Sequence, residues 1–226
     1  MNVAIFGVAD KVQLDALKGA GFDLAGKNPK LIFVFGGDGS IMKSEEKFPG
    51  VPKVIIKKSK ICKKCPLLPF EEIIKLVKGG RYKIDELEKL SICKNAKCIE
   101  GVNDVIVHNS DPRHAIRYVI EIERIDFKKE VIGDGIVVAT RFGSSGYFRS
   151  ITDSVFHVGI GLAFNNSTES IDHMVLPDFA SITIEITRGP AEAYADNNPK
   201  EFKLIEGDRV TISRSKKVFR LVHFEH

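Results

Sequence analysis

The stretch Leu31-Ile-Phe-Val-Phe-Gly-Gly-Asp-Gly-Ser40 limits what this chain can fold into more than any other. Five large apolar residues in succession read as a strand covered on both faces, the kind found in parallel sheets flanked by helices. The run ends in Gly36, Gly37, Asp38, Gly39 and Ser40. Glycines at this density let the backbone turn sharply and let a ligand approach it closely. Successive N–H groups at such a turn form a concavity suited to phosphate, and the Ser40 hydroxyl can add a donor. Asp38 is the discordant member, because a carboxylate repels phosphate. It makes sense as the acceptor of a proton from an attacking hydroxyl, or as a group that meets phosphates through a divalent cation. Gly-Asp-Gly is also ordinary turn chemistry, so the stretch alone leaves both readings open.

Around this stretch the chain alternates strands and helices up to about residue 80. Val3–Val8 reads as a strand, and the apolar spacing of Val12, Leu14, Ala16 and Leu17 predicts a short helix over Lys11–Lys18, stopped by Gly19 and Gly21. Leu31–Phe35 and Val54–Ile56 are the next strands, and Phe70–Val77 is a helix closed by Gly79 and Gly80. Such an order gives a small α/β layer with the Asp38 turn at the carboxyl end of its strand, the edge where open α/β sheets bind ligands. From Tyr82 onward the texture changes to short alternating strands. Leu90–Lys94 and Cys98–Gly101 predict a hairpin, followed by strands at Val105–His108, Ala115–Ile125, Gly135–Ala139, Ile182–Ile186 and Val210–Ser213. The expected organisation is an N-terminal α/β domain over residues 1–80 and a larger, β-rich C-terminal domain over 81–226.

The chain has 226 residues, enough for a sizeable core, with 43% hydrophobic and 28% charged residues as in soluble globular proteins. No apolar run reaches the length of a membrane span, and Met1–Gly7 carries neither a basic leader nor a cleavage site, so a cytoplasmic protein is expected. A net charge of +4 is too mild to imply a polyanionic partner. The lysines Lys57, Lys58, Lys60, Lys63 and Lys64 lack a recognition helix or interleaved aromatics, which argues for a solvated loop or a phosphate-attracting rim rather than nucleic acid.

Two further segments repeat the theme of acid, glycine and strand. Gly101-Val-Asn-Asp104 places an amide beside a carboxylate ahead of a strand. Gly133-Asp-Gly-Ile-Val-Val-Ala-Thr-Arg-Phe-Gly-Ser-Ser-Gly-Tyr-Phe-Arg-Ser150 runs from an acid between glycines, through a strand, into a Gly/Ser turn. With the Asp38 turn, these resemble the NAD kinase family, within the wider superfamily of kinases that carry a GGDG turn. That family follows the GGDG turn with an Asn-acid pair and a DG-strand-T-x-x-G-S-T-A-Y segment. The resemblance runs from about Val3 to Leu221 and is dense only at these motifs. It implies an ATP-dependent phosphotransferase acting on the 2′-hydroxyl of the adenosine ribose of NAD, with an active site between the two domains. Asp38 would be the catalytic base. Gly36, Gly37, Gly39, Ser40, Asn103, Asp104, Asp134, Thr140, Ser144, Ser145, Tyr147 and Ser150 would bind nucleotide, with Ser144 or Ser145 capping a helix that follows the turn. Magnesium or another divalent cation would accompany ATP, and the family resemblance implies a homo-oligomer.

Several positions depart from the family pattern. Arg141 and Phe142 replace a proline and a small polar residue, Gly146 replaces alanine, and Ile151-Thr-Asp153 replaces Ala-Gly-Gly. Arg141 and Arg149 could reach phosphates. Lys57–Cys65 stands where an Asn-x-Gly-x-x-Gly-Phe-Leu stretch is usual, and Asp196-Asn-Asn where an Asp-Gly turn is common. These departures keep open a kinase of the same superfamily with a lipid, sugar or nucleoside acceptor, and a nucleotide-binding module without turnover. The cysteines fall in two pairs, Cys62-x-x-Cys65 and Cys93-x4-Cys98, compatible with a split four-thiolate zinc site, two disulfides or free buried thiols. The histidines show no metal-ligand spacing, and His108 reads as a residue at the edge of the core.

Overall fold

The computed structural model describes residues 1–24, 27–58, 62, 64–169 and 171–224. The chain divides into two compact units, residues 1–87 with 218–226, and residues 88–217. The fold is α/β plus β.

In the first unit β1 (Val3–Gly7), β2 (Leu31–Gly36) and β3 (Lys53–Lys57) run parallel with β2 in the middle. Leu31, Ile32, Phe33, Val34 and Phe35 are all buried, as the unbroken apolar run requires for a central strand. Helix α1 (Lys11–Gly19) follows β1 and opens with a capping box. The Asp10 carboxylate accepts from the Gln13 N–H, and the Gln13 side chain answers at the Asp10 N–H. Helix α2 (Asp38–Lys47) follows β2, and α3 (Phe70–Lys78) follows β3 with Glu71 and Glu72 in its first turn and Lys75 and Lys78 in its last. Ile73, Ile74 and Val77 of α3 pack with Phe33, Phe35 and Val54 into the unit's core. Lys53 is fully buried; it pairs with Glu45, donates to the Phe48 carbonyl at 2.7 Å and lies 5.4 Å from the Phe219 ring centroid. Glu45 also accepts from the Gly50 N–H at 3.0 Å, so neither buried charge is left without partners.

The second unit is built from β4 (Lys83–Lys94), β5 (Lys97–Gly101), β6 (Asp104–Asn109), β7 (Ile116–Ile122), β8 (Phe127–Gly133), β9 (Gly135–Ala139), helix α4 (Tyr147–Thr152), β10 (Ile160–Asn165), β11 (His173–Leu176), β12 (Ser181–Arg188), β13 (Ala191–Ala195), β14 (Glu201–Leu204) and β15 (Arg209–His223). The chain passes between the units inside β4 and again inside β15. One antiparallel sheet runs β11-β10-β9-β6-β13-β14, and the strands β5-β4-β15-β12-β7-β8 form a second layer. Side chains of β6, β9 and β10 alternate between two destinations. Val105, Val107, Ile136, Val138, Ile160, Leu162 and Phe164 join the core that includes residues of the second layer, while Ile106, Val137, Ala139 and Ala163 pack with Phe148 and Phe156. Helix α4 is thereby fixed on the far face of that sheet. No helix among the described residues is long and apolar enough to cross a membrane.

The expected strand over Ala115–Ile125 is shorter, because the chain turns through Arg124 and Asp126, both at positive φ. Leu90–Lys94 and Cys98–Gly101 do pair, in a register that sets Cys93 opposite Cys98.

Candidate active site

Asp38 is the first residue of α2, with Gly37 as the N-cap and no side-chain cap on the exposed N–H groups. The turn from Gly36 to Ser40 is therefore a helix start, and a carboxylate there is favoured by the helix dipole. All five residues of the turn are half-buried. A Cβ on Gly36 would overlap the Ser40 side chain, so glycine is what lets Ser40 fold back over the strand end. Cys62 and Cys65 lie against the same turn. Cys62 Sγ stands 3.2 Å from Asp38 Oδ1, and Cys65 Sγ stands 3.8 Å from the Gly36 carbonyl oxygen.

In the second unit the corner before β6 holds Asn103 and Asp104, both almost fully buried. Asp196 builds this corner. Its carboxylate accepts from the N–H groups of Val102 at 2.7 Å, Asn103 at 2.8 Å and Asp104 at 3.2 Å. Burial raises the Asp196 pKa from the ordinary value, and the three N–H donors oppose that rise. Asp196 itself sits in the left-handed region at φ 49°, and its N–H returns a bond to the Asp104 carbonyl. Thr140, at the end of β9, is fully buried; its hydroxyl donates to the Val102 carbonyl at 2.7 Å and accepts from the Gly143 N–H at 2.9 Å. A Cβ on Gly143 would collide with the Asn103 carbonyl oxygen, so the 140–146 turn rests directly on the Asn103 corner. The side chains of Asn103 and Asp104 face this turn: a Cβ added to Gly146 would stand 3.9 Å from Asp104 Oδ2 and 4.0 Å from Asn103 Nδ2. The same Cβ would press on the Gly143 carbonyl oxygen at 3.1 Å, so glycine relieves that contact beside the pair.

Tyr147 opens α4 and is half-buried. Burial, followed by the charges of Asp134 and Asp104, raises its phenol pKa, which places those two carboxylates in its field. Its hydroxyl lies 3.4 Å from Asn165 Nδ2, which is also 3.4 Å from His108 Nε2. Asp134 Oδ1 accepts from Asn109 at 3.1 Å, and Asp134 Oδ2 accepts from Asn166 at 2.6 Å. Tyr147, Ser150, Asn165, Asn166, Ser167 and Asp172 help to line a cavity of ≈ 580 Å³. The structure therefore gathers Asn103, Asp104, Asp134, Thr140 and Tyr147 into one region, with Ser150 at the cavity beside it. Asp38, Gly36, Gly37, Gly39 and Ser40 stand together in the other unit.

Three details differ from the sequence reading. Gly146, not Ser144 or Ser145, is the N-cap of α4, and no side chain caps it; Ser144 is buried inside the preceding turn, where its N–H donates to the Arg141 carbonyl. Arg141 is not free for phosphate, because its guanidinium grips the buried Glu88 through two bonds of 2.8 and 3.1 Å. The cysteines form two disulfides, Cys62–Cys65 and Cys93–Cys98, rather than a shared zinc site, since each partner lies within its own short segment and a disulfide sulfur has no thiolate to offer a metal. Of the basic segment, Lys58 pairs with Asp10 at 3.0 Å, and Lys60 and Lys63 lie outside the described residues. Asp196, Asn165 and Asn166 were not among the expected site residues. The Asp196-Asn-Asn departure was the one signal that pointed at the first, and nothing local marked the other two.

Residues 102–224, more than half of the chain, match the family model of the ATP-NAD kinase C-terminal domain. The chain belongs to the NAD kinase family. It is 26% identical to the NAD kinase of Methylibium petroleiphilum, over 96% of this chain and 75% of that one. It is 27% identical to the NAD kinase of Thermoplasma volcanium, over 92% of this chain and 79% of the other. Among solved structures, a yeast NADH kinase complexed with NADH superposes with a TM-score of 0.82 at 18% identity, covering 100% of this chain and 84% of that one. An NAD kinase from Archaeoglobus fulgidus in complex with ATP gives 0.79 at 19% identity, covering 100% and 94%. These two carry the fold. Membership of the NAD kinase family makes the chain a phosphotransferase acting on a hydroxyl group.

Proposed function

We propose that this chain transfers the γ-phosphoryl group of ATP to the 2′-hydroxyl of the adenosine ribose of NAD, forming NADP. The observation that carries this reading is the Asn103–Asp104 corner. It lies inside the region matched by the family, and its backbone is held by Asp196, Thr140 and Gly143. An amide and a carboxylate so presented can accept from ribose hydroxyls and an adenine amine and donate in return. Asp38 is assigned the proton of the attacking hydroxyl. A ribose hydroxyl is a poor nucleophile, and a carboxylate within hydrogen-bond reach removes its proton as the phosphoryl group moves. The N–H groups of Gly37, Asp38 and Gly39 at the helix start and the Ser40 hydroxyl are assigned to phosphate oxygens, and Tyr147, Asp134 and Ser150 to the acceptor nucleotide.

Magnesium or another divalent cation bound to ATP would neutralise charge on the phosphates. Among the described residues no group of three or more His, Cys, Asp or Glu side chains could hold a metal ion by itself. The chain's own groups therefore fit a cation carried by the nucleotide, with a single carboxylate such as Asp38 beside it. Glycine at 146, where the family pattern has alanine, favours a second reading, a kinase for another alcohol, and the same experiment separates the two. Calorimetry with Asp104→Ala should show NAD affinity reduced by about tenfold or more, the cost of hydrogen bonds to a charged group, with ATP affinity unchanged. Equal NAD affinity in the variant and the parent would favour the other alcohol.

A further inference from the structure

One constellation is left unused by this chemistry: a disulfide laid against the acid of the GGDG turn. Cys62 Sγ is 3.2 Å from Asp38 Oδ1, and Cys65 Sγ is 3.8 Å from the Gly36 carbonyl. Cys65 is buried and Cys62 is half-exposed. A disulfide sulfur carries no hydrogen, so the approach of Cys62 to Asp38 is a van der Waals contact, and Oδ1 keeps its lone pairs. In the dithiol form the same sulfur would be an S–H donor already in place beside that oxygen. The other disulfide, Cys93–Cys98, bridges directly opposite residues of β4 and β5.

We propose that Cys62–Cys65 is a thiol-exchange site that controls Asp38: the disulfide leaves Oδ1 available to a substrate hydroxyl, and the reduced Cys62 occupies it with an S–H bond. The effect on turnover rests on the reading of Asp38 as the base, whereas the contact itself does not. The co-reactant is a dithiol. One of its thiolates attacks the Cys62 sulfur, the more exposed of the two; the Cys62–Cys65 bond breaks and Cys65 leaves as a thiolate that takes a proton. The second thiolate of the reductant then attacks the sulfur of its own that is joined to Cys62, expelling Cys62, which is protonated in turn. The protein pair gains two electrons and two protons, and the reductant loses them and closes to a cyclic disulfide.

The test uses the full chain labelled with ¹³C at aspartate carboxyls, with the Asp38 resonance assigned by its absence from Asp38→Asn. Dithiothreitol should shift that resonance, and reoxidation should return it. A Cys62→Ala/Cys65→Ala variant should show no shift, and a Cys93→Ala/Cys98→Ala variant should respond as the parent does. In the same samples kcat should fall by about three- to tenfold on reduction, the effect of a weak donor on a general base. An unmoved Asp38 resonance after complete reduction, verified by alkylation of all 4 cysteines, would overturn the proposal whether or not the chain transfers phosphate. An equal shift in the Cys62→Ala/Cys65→Ala variant would also overturn it. A shifted resonance in a protein without phosphoryl transfer would leave this site standing and remove the kinase reading instead.

Discussion

Burial, and then the charges of Asp134 and Asp104, hold the Tyr147 phenol above its ordinary pKa, and Tyr194 is raised by burial and by Tyr147, Asp104 and Glu192. A phenol raised in this way contributes stability that is complete below the unfolded value of about 10 and is lost as pH rises through the folded value. Titration at 295 nm should therefore find Tyr147 protonated above pH ~10, and Asp104→Asn should lower its midpoint. A midpoint unaffected by that substitution would show that Asp104 does not sit in the field of the tyrosine. Gly143 carries a second prediction at this scale. Alanine there must displace the Asn103 carbonyl, so Gly143→Ala should cost about 1–3 kcal/mol in thermal unfolding and weaken NAD binding with it. Asp38, Asn103 and Asp104 draw attention in the sequence as candidates because each sits in a compact pattern of glycines and acids. Asp196 could not be given its role from the sequence. Its bonds reach residues 92 to 94 positions away and depend on a left-handed backbone, neither of which leaves a local trace. Thr140 was read as a nucleotide contact, yet its hydroxyl is committed to Val102 and Gly143, an arrangement visible only once β6 and β9 are side by side.

Strand β2 was readable to within one residue, since five consecutive buried apolar side chains fit little else. Helix α2 was not read at all. Gly39 at its second position and the polar run Lys43–Lys47 hide a helix whose buried residues are Ile41, Ser44 and Glu45. Strands β10 and β13 were missed for a related reason. Gly161 and the alanines at 191, 193 and 195 weaken the alternating pattern, although they are small because something packs on them: Gly161 lies directly under the rings of Phe148 and Phe156. Those rings are 5.0 Å apart, edge to face, and Phe148 is completely buried. Phe148→Ala should consequently lower stability by about 3–5 kcal/mol in denaturant unfolding and detach α4, with Tyr147 and Ser150, from its sheet. A loss under about 1 kcal/mol would mean that α4 is held by something other than this contact.

Across the whole molecule, the change of texture near residue 80 was enough to foresee an α/β part followed by a β part. The course of β15 was not foreseen. Its early residues pair with β12, Val210 opposite Ile184, and its late residue Leu221 pairs with Lys53 of β3. A strand that serves β12, β4 and β3, far apart in sequence, has no signature of its own. One reaction is proposed for the chain, and the formation of NADP tests it most directly. The purified protein, incubated with ATP, a magnesium salt and NAD, should produce NADP with the new phosphate on the 2′-oxygen, as read by ³¹P NMR. Asp38→Asn, with an unchanged circular dichroism spectrum, should do so about 10²–10⁴-fold more slowly. Unaltered NAD beside ATP consumed on another alcohol, or near-parental turnover by Asp38→Asn, would contradict the proposed reaction.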